Sequence, residues 1–227
     1  AGSMVDAAKR FGKNLKVISA GGGLPIPYNK EDTTRIDVDA YFKVWDDARQ
    51  EIAAILGHDI SLEVEPGRYL IAESGYLVTR IASIKQQDQK NFYLIDAGFN
   101  DLVRPSFYGA YHHITIVSAD DRTLEGTQDV VVAGPLCESC DVFTQEDGGF
   151  VTTRALPHAR VGDYLVLHDA GAYGMAMSSN YNTRRIATEV LIHEGKLLTI
   201  RERQTFESIM QFEKVPDHLG SLEEVSL

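Results

Sequence analysis

At Gly75 the spacing of apolar residues changes period, and this boundary restricts the chain's fold more than any other feature. Before it, residues 15–20 (LKVISA) form a short β-branched run ending in Gly21-Gly22-Gly23, the pattern of a strand feeding a glycine loop. Across residues 37–56, Val38, Tyr41, Trp45, Ala48, Ile52 and Ile55 recur at steps of three and four with charges between them. Gly57 follows, so the spacing predicts an amphipathic helix and its stop. Residues 61–65 (SLEVE) read as a second strand running into Pro66-Gly67-Arg68. After Gly75 come short β-rich runs at 76–85, 91–97, 112–118, 129–133, 151–155, 163–168, 187–193 and 196–201, broken by turn signals such as DQK, DDR, EDGG and HEGK. Only 205–212 (TFESIMQF) again has helical spacing.

The first part is therefore α/β and the second all-β, in the form of a Greek-key barrel or sandwich. Two strand-helix units cannot close a barrel of eight, so they read as the last two units of a (β/α)8 barrel. Residues 1–12 look like the end of an amphipathic helix (Met4, Val5, Ala8, Phe11) without a start signal, so further barrel is expected upstream of Ala1. The expected division is 1–74 for the barrel part, 75–215 for the β domain and 216–227 for a flexible tail.

Charge narrows the partners. With 22 Lys and Arg against 33 Asp and Glu, the net charge of −11 opposes binding to nucleic acid or anionic membranes. No apolar run reaches the roughly 20 residues that span a bilayer, and AGSMVDAAKR lacks the apolar core of a secretory signal. Two cysteines three residues apart cannot staple distant parts of a secreted fold, so a reducing cytoplasmic setting is expected.

Several motifs carry chemistry. A glycine loop at a strand end lets backbone N–H groups approach a phosphate, although a plain tight turn has the same composition. Residues 65–68 (EPGR) put Glu65, Gly67 and Arg68 at the carboxyl end of the next strand, where α/β folds collect ligands. Three loops then combine glycine with aromatic, charged or amide residues: 96–113 (DAGFNDLVRPSFYGAYHH), 134–141 (GPLCESCD) and 169–182 (DAGAYGMAMSSNYN). Arg104 with Tyr108 suits a carboxylate, whereas His112 and His113 read as strand-end packing or hydrogen-bonding residues. Cys137 and Cys140 have C-x-x-C spacing, but between two strands rather than at a helix N-terminus, which argues against a redox pair. No second paired motif supplies the other ligands of a zinc site, so no metal is expected.

AGGGLPIPY, LEVEPGRYL, IDAGFNDLVRPSFYG, VVAGPLCESCDVF and DAGAYGMAMSSNYN, in that order, resemble the diaminopimelate decarboxylases, in their bacterial form. The resemblance runs from about Leu15 to Phe212. It implies pyridoxal 5'-phosphate as cofactor, decarboxylation of meso-2,6-diaminopimelate to L-lysine, a barrel followed by a β domain as in alanine racemase, and a homodimer with shared active sites. It implies that Gly21, Gly22 and Gly23 hold the cofactor phosphate, with Glu65, Gly67 and Arg68 lining that site and Arg68 also meeting substrate. Arg104 and Tyr108 would grip a substrate carboxylate, and Tyr173 would lie near cofactor and substrate. Cys137, as proton donor, and Glu138, as anchor for the distal ammonium, would reach into the partner's site. A thiol suits proton delivery after carbon dioxide is lost, and an amino-acid tail calls for a carboxylate together with arginines.

Two departures from the family follow. The lysine that binds the cofactor covalently, and a histidine that stacks on it, belong to the barrel upstream of Ala1, so the resemblance implies that this chain alone is inactive. Cys140 stands where the family usually has glycine; if that glycine has positive φ, the cysteine would cost on the order of 1 kcal/mol. The alternatives are a related decarboxylase of the carboxynorspermidine, arginine or ornithine type, and a non-catalytic dimerisation or binding module.

Overall fold

The computed structural model describes residues 1–217. The tail expected at 216–227 lies, from residue 218 onward, outside the described residues.

The first part holds helix α1 (Gly2–Phe11), strand β1 (Val17–Ser19), helix α2 (Val38–Leu56) and strand β2 (Ser61–Glu63). β1 and β2 pair in parallel, with Ile18 opposite Leu62. Asp37 caps α2 by accepting a 2.9 Å hydrogen bond from the Ala40 N–H, and Gly57 ends it in the left-handed conformation at φ 75°. Val5, Ala8, Ile18, Ala48, Ile52 and Ile60 make a small core between the helices and the strand pair. Phe11, assigned by spacing to the apolar face of α1, is instead 85% exposed at its end.

Two single-turn helices fall where no helix was expected: α3 (Gly67–Ile71) beginning at the glycine of EPGR, and α4 (Arg104–Tyr108) formed by RPSFY. Five residues are too few to show a helical period, and Pro105 within the first turn is the one local sign of α4.

The β part consists of β3 (Leu77–Gln87), β4 (Lys90–Ile95), β5 (Ile114–Val117), β6 (Thr127–Ala133), β7 (Gln145–Glu146), β8 (Phe150–Val151), β9 (Arg154–Pro157), β10 (Tyr164–Leu167), β11 (Glu189–His193) and β12 (Lys196–Arg201), followed by helix α5 (Phe206–Met210). Six strands form one sheet in the order β5-β10-β3-β4-β6-β9. β4 and β6 run parallel and the other neighbours antiparallel. The sheet curls until its end strands β5 and β9 touch, which approaches a barrel. Its interior is filled by Ile81, Tyr93, Ile95, Leu102, Val130, Val132, Phe143, Leu156, Leu165 and Leu167. The run at 151–155, expected as one strand, is two: Thr152 turns its N–H to the Thr144 carbonyl at 2.8 Å, dividing β8 from β9.

The two parts meet along a narrow seam. Ile26 and Tyr28, from the loop after the glycines, pack on Ala72 and Ala172. Lys30 reaches Asp169 at 2.9 Å. Gly75 and Gly171 approach so closely that a Cβ on Gly75 would stand 2.3 Å from the Gly171 Cα. The seam holds the 169–182 loop against α3. No helix among the described residues is long and apolar enough to cross a membrane.

Candidate functional site

The glycine loop leaves β1 in a conformation that side chains resist. Gly21 and Gly23 have φ of 67° and 87°, and a Cβ on Gly22 would lie 2.9 Å from the Glu65 carbonyl oxygen. The Glu65 N–H bonds the Gly21 carbonyl at 2.8 Å, and the Ser19 hydroxyl donates to Glu65 Oε1 at 3.1 Å, so the loop and the EPGR segment form one unit. Gly22, Gly23, Glu65, Gly67, Arg68 and Tyr173 line a cleft of about 270 Å³. Tyr173 comes from the far side of the seam at φ 67°, and its hydroxyl would meet a Cβ on Gly67 at 3.9 Å.

Beside this cleft two cations share one aromatic ring. The Arg104 Cζ lies 4.6 Å from the centroid of Tyr28 and the Arg68 Cζ lies 5.8 Å from it; Arg68 is also 5.7 Å from Tyr173. Arg104 is buried, and among the described residues neither arginine forms an ion pair with a carboxylate. Arg104 donates to His112 Nε2 at 2.8 Å, which leaves the Nδ1 proton to bond the His168 carbonyl at 2.8 Å. Burial pushes the His112 pKa down to about 4, so the ring is a neutral acceptor. Burial also works against the charge on Arg104, opposed by Tyr28. The Tyr28 hydroxyl is buried without a hydrogen-bond partner among the described residues. A buried guanidinium without a carboxylate partner is costly unless an anion joins it, and Arg104, with the partly buried Arg68 near the same ring, has the chemistry to accept one.

The third cluster is on the 134–141 loop. Asp141 ties it down by accepting from the N–H groups of Phe99 (2.7 Å) and Leu136 (2.8 Å). The Cys137 N–H donates to Asn182 Oδ1 at 2.9 Å, and Glu138 accepts from the Tyr181 hydroxyl at 3.1 Å and the Ser139 N–H at 2.9 Å. Those hydrogen bonds, Tyr181's first, hold the Glu138 carboxyl below its usual range. Cys137 is exposed and Cys140 half-buried, both as free thiols. Cys140 is not among the residues with positive φ, so the condition under which a cysteine there would be strained is not met.

Of the residues singled out in the sequence, Gly22, Gly23, Glu65, Gly67, Arg68 and Tyr173 therefore share one cleft, with Gly21 in the loop that forms it and Arg104 joined to Arg68 through Tyr28. Tyr108 is half-exposed at the end of α4 and stacks edge-on against Phe107. Cys137 and Glu138 bond to residues 139, 181 and 182 and to nothing in the cleft. Sequence reasoning missed Tyr28 and the bond from Arg104 to His112. The signal for Tyr28 lay in LPIPY, where two prolines extend the chain away from the glycines. Among the described residues no three His, Cys, Asp or Glu side chains gather as a metal site.

A glycine loop that lets backbone N–H groups approach a ligand, beside one arginine from α3 (Arg68) and one from the β part (Arg104), is an arrangement that can accept anionic groups. The chain belongs to the pyridoxal-dependent decarboxylases: residues 17–171 match the family described as their C-terminal sheet domain. It is 54% identical over 214 residues to the diaminopimelate decarboxylase of Escherichia coli K12, covering 93% of this chain and 51% of that protein. A crystal structure of diaminopimelate decarboxylase superposes with a TM-score of 0.90 at 54% identity, over 93% of this chain and 51% of the other. Diaminopimelate decarboxylase from M. jannaschii, solved in co-complex with L-lysine, gives a TM-score of 0.79 at 34% identity, over 96% and 47%. The chain spans about half the length of the curated relatives it matches.

Proposed function

We propose that this chain supplies the C-terminal part of a pyridoxal-phosphate carboxy-lyase that converts meso-2,6-diaminopimelate to L-lysine and carbon dioxide. The observation that carries the reading is the buried Arg104, without a carboxylate partner among the described residues and sharing the Tyr28 ring with Arg68 beside the glycine cleft. A substrate with an amino-acid tail matches that pair, whereas a plain amine tail, as in ornithine, leaves it uncompensated. The names of the relatives point to the same substrate.

The residues present fit the cofactor. A Cβ at Gly21 or Gly23 would project into open space, so glycine leaves room at the cleft for a phosphate to meet backbone N–H groups. When bound, pyridoxal phosphate supplies the electron sink for the pair released as the carboxylate departs. In this reading Gly21, Gly22 and Gly23, with Glu65 and Gly67, hold its phosphate end, and Tyr173 packs beside it. Arg68 and Arg104, helped by Tyr108, hold the substrate carboxylate that is retained. Glu138 takes the distal ammonium, and the Cys137 thiol delivers a proton to the carbon that lost carbon dioxide.

The finer architecture belongs to the same proposal. The β1–α2–β2 unit is the end of an α/β barrel, residues 1–74 form one part and 75–215 the β domain. The protein is a cytoplasmic homodimer in which Cys137 and Glu138 of one protomer complete the cleft of its partner. The full-length protein, supplied with pyridoxal phosphate, is expected to release carbon dioxide and L-lysine from meso-diaminopimelate and to turn over ornithine, arginine and carboxynorspermidine poorly. Release from one of those amines but not from diaminopimelate overturns the substrate assignment.

A further inference from the structure

The 169–182 loop divides in two. Its first half carries Tyr173 to the cleft, and its second half leads into a turn that the cleft does not use. Of the seven non-glycine residues with positive φ among the described residues, four lie between 169 and 183: Asp169, Tyr173, Asn182 and Thr183. Asn182 and Thr183 are consecutive, at 53° and 57°, and a β-branched residue is the least suited to that region. Strain of this kind persists only where surrounding contacts over-determine it, and it gathers at functional sites. Here the turn is pinned on both sides. The Ser179 N–H bonds the Asn100 carbonyl at 2.9 Å, Asn180 Nδ2 reaches the Arg184 carbonyl at 2.8 Å, and the Tyr181 ring packs 4.9 Å from Phe99. The two side chains that emerge from it go to the same place: the Tyr181 hydroxyl to Glu138 Oε2 at 3.1 Å, and Asn182 Oδ1 to the Cys137 N–H at 2.9 Å.

We propose that the strained turn at 181–183 positions the Cys137–Glu138 pair, Tyr181 orienting the carboxylate and Asn182 the backbone that carries the thiol. The inference rests on reading Cys137 and Glu138 as the pair that completes the substrate site. Both lie on an exposed loop, where, among the described residues, the carboxylate would otherwise be held only by its neighbour Ser139. The Tyr181 bond also lowers the Glu138 pKa, favouring the charged form that an ammonium group would meet.

Steady-state kinetics of the full-length holoenzyme with meso-diaminopimelate test it. Tyr181→Phe keeps the ring on Phe99 and removes one donor; KM is expected to rise about tenfold with kcat nearly unchanged. Combined with Glu138→Ala, it adds no further loss, because the hydroxyl acts only through that carboxylate. Asn182→Ala is expected to lower kcat about tenfold, and Asn182→Asp, which keeps the acceptor oxygen, to restore most of it. If the Tyr181→Phe and Glu138→Ala losses add, or if Asn182→Asp is as impaired as Asn182→Ala, the turn is scaffold alone and the proposal falls. A Glu138→Ala variant with the parent KM overturns the reading of the pair itself, and the positioning role with it.

Discussion

His112 is 2% exposed, and the acceptor it offers Arg104 exists only while the ring is neutral. Its folded pKa of about 4 lies below the ordinary 6.5, with burial as the main cause, so the folded state favours the unprotonated form. The resulting stabilisation is fully present above about pH 6.5 and is lost as pH falls through about 4; it amounts to about 3 kcal/mol. Chemical denaturation measured from pH 7 to pH 4 should show that loss, and His112→Gln, which has no titrating ring, should flatten it. An unchanged pH profile in the variant would mean that other groups dominate. Much of this residue scale was hidden in the sequence. His112 and His113 are adjacent in the chain, yet only His112 bonds Arg104, across the turn that leaves α4 through a left-handed Gly109 and leads into β5. Cys137 and Glu138 were legible as a motif, but Tyr181 and Asn182, which bond them besides the neighbouring Ser139, lie more than forty positions further on.

Elements were readable where the local code is long enough to be redundant. α2 announced itself by nineteen residues of helical spacing between an aspartate cap and a left-handed glycine, and β12 matches its expected span, 196–201. The turn before β12 follows equally local chemistry, with Glu194 and Gly195 both at positive φ between paired strands. α3 and α4 were not readable, since each is one turn fixed by what it packs against. For α3 that neighbour is the 169–182 loop, whose Gly171 N–H bonds the Ala72 carbonyl at 3.1 Å. A Cβ on Gly171 would stand 2.0 Å from the Ile71 carbonyl oxygen, a backbone atom that cannot step aside. Gly171→Ala is therefore expected to destabilise the protein by about 1–3 kcal/mol and to displace Tyr173 from Gly67. A melting temperature equal to the parent's would show that the seam yields without cost.

At the scale of the whole molecule, the cleft and the Cys137–Glu138 loop are separate in one chain. The cleft gathers residues from α3, the glycine loop and the 169–182 loop, while Cys137 and Glu138 sit with Tyr181 and Asn182. If a functioning site needs both sets, a two-fold dimer that brings the loop of one protomer to the cleft of the other satisfies the requirement twice. The arrangement makes a prediction that a self-contained protomer does not share. Full-length Arg104→Ala lacks a cleft residue and full-length Cys137→Ala lacks the donated proton source, so each alone should be nearly inactive. Co-expressed, they form mixed dimers in which one site collects both defects and the other collects neither. With random pairing, half the dimers are mixed, and about a quarter of all sites are intact. Decarboxylase activity should then return to about a quarter of the parent's. Mixed dimers isolated by two affinity tags and found inactive would place both sets of residues in the same protomer's site.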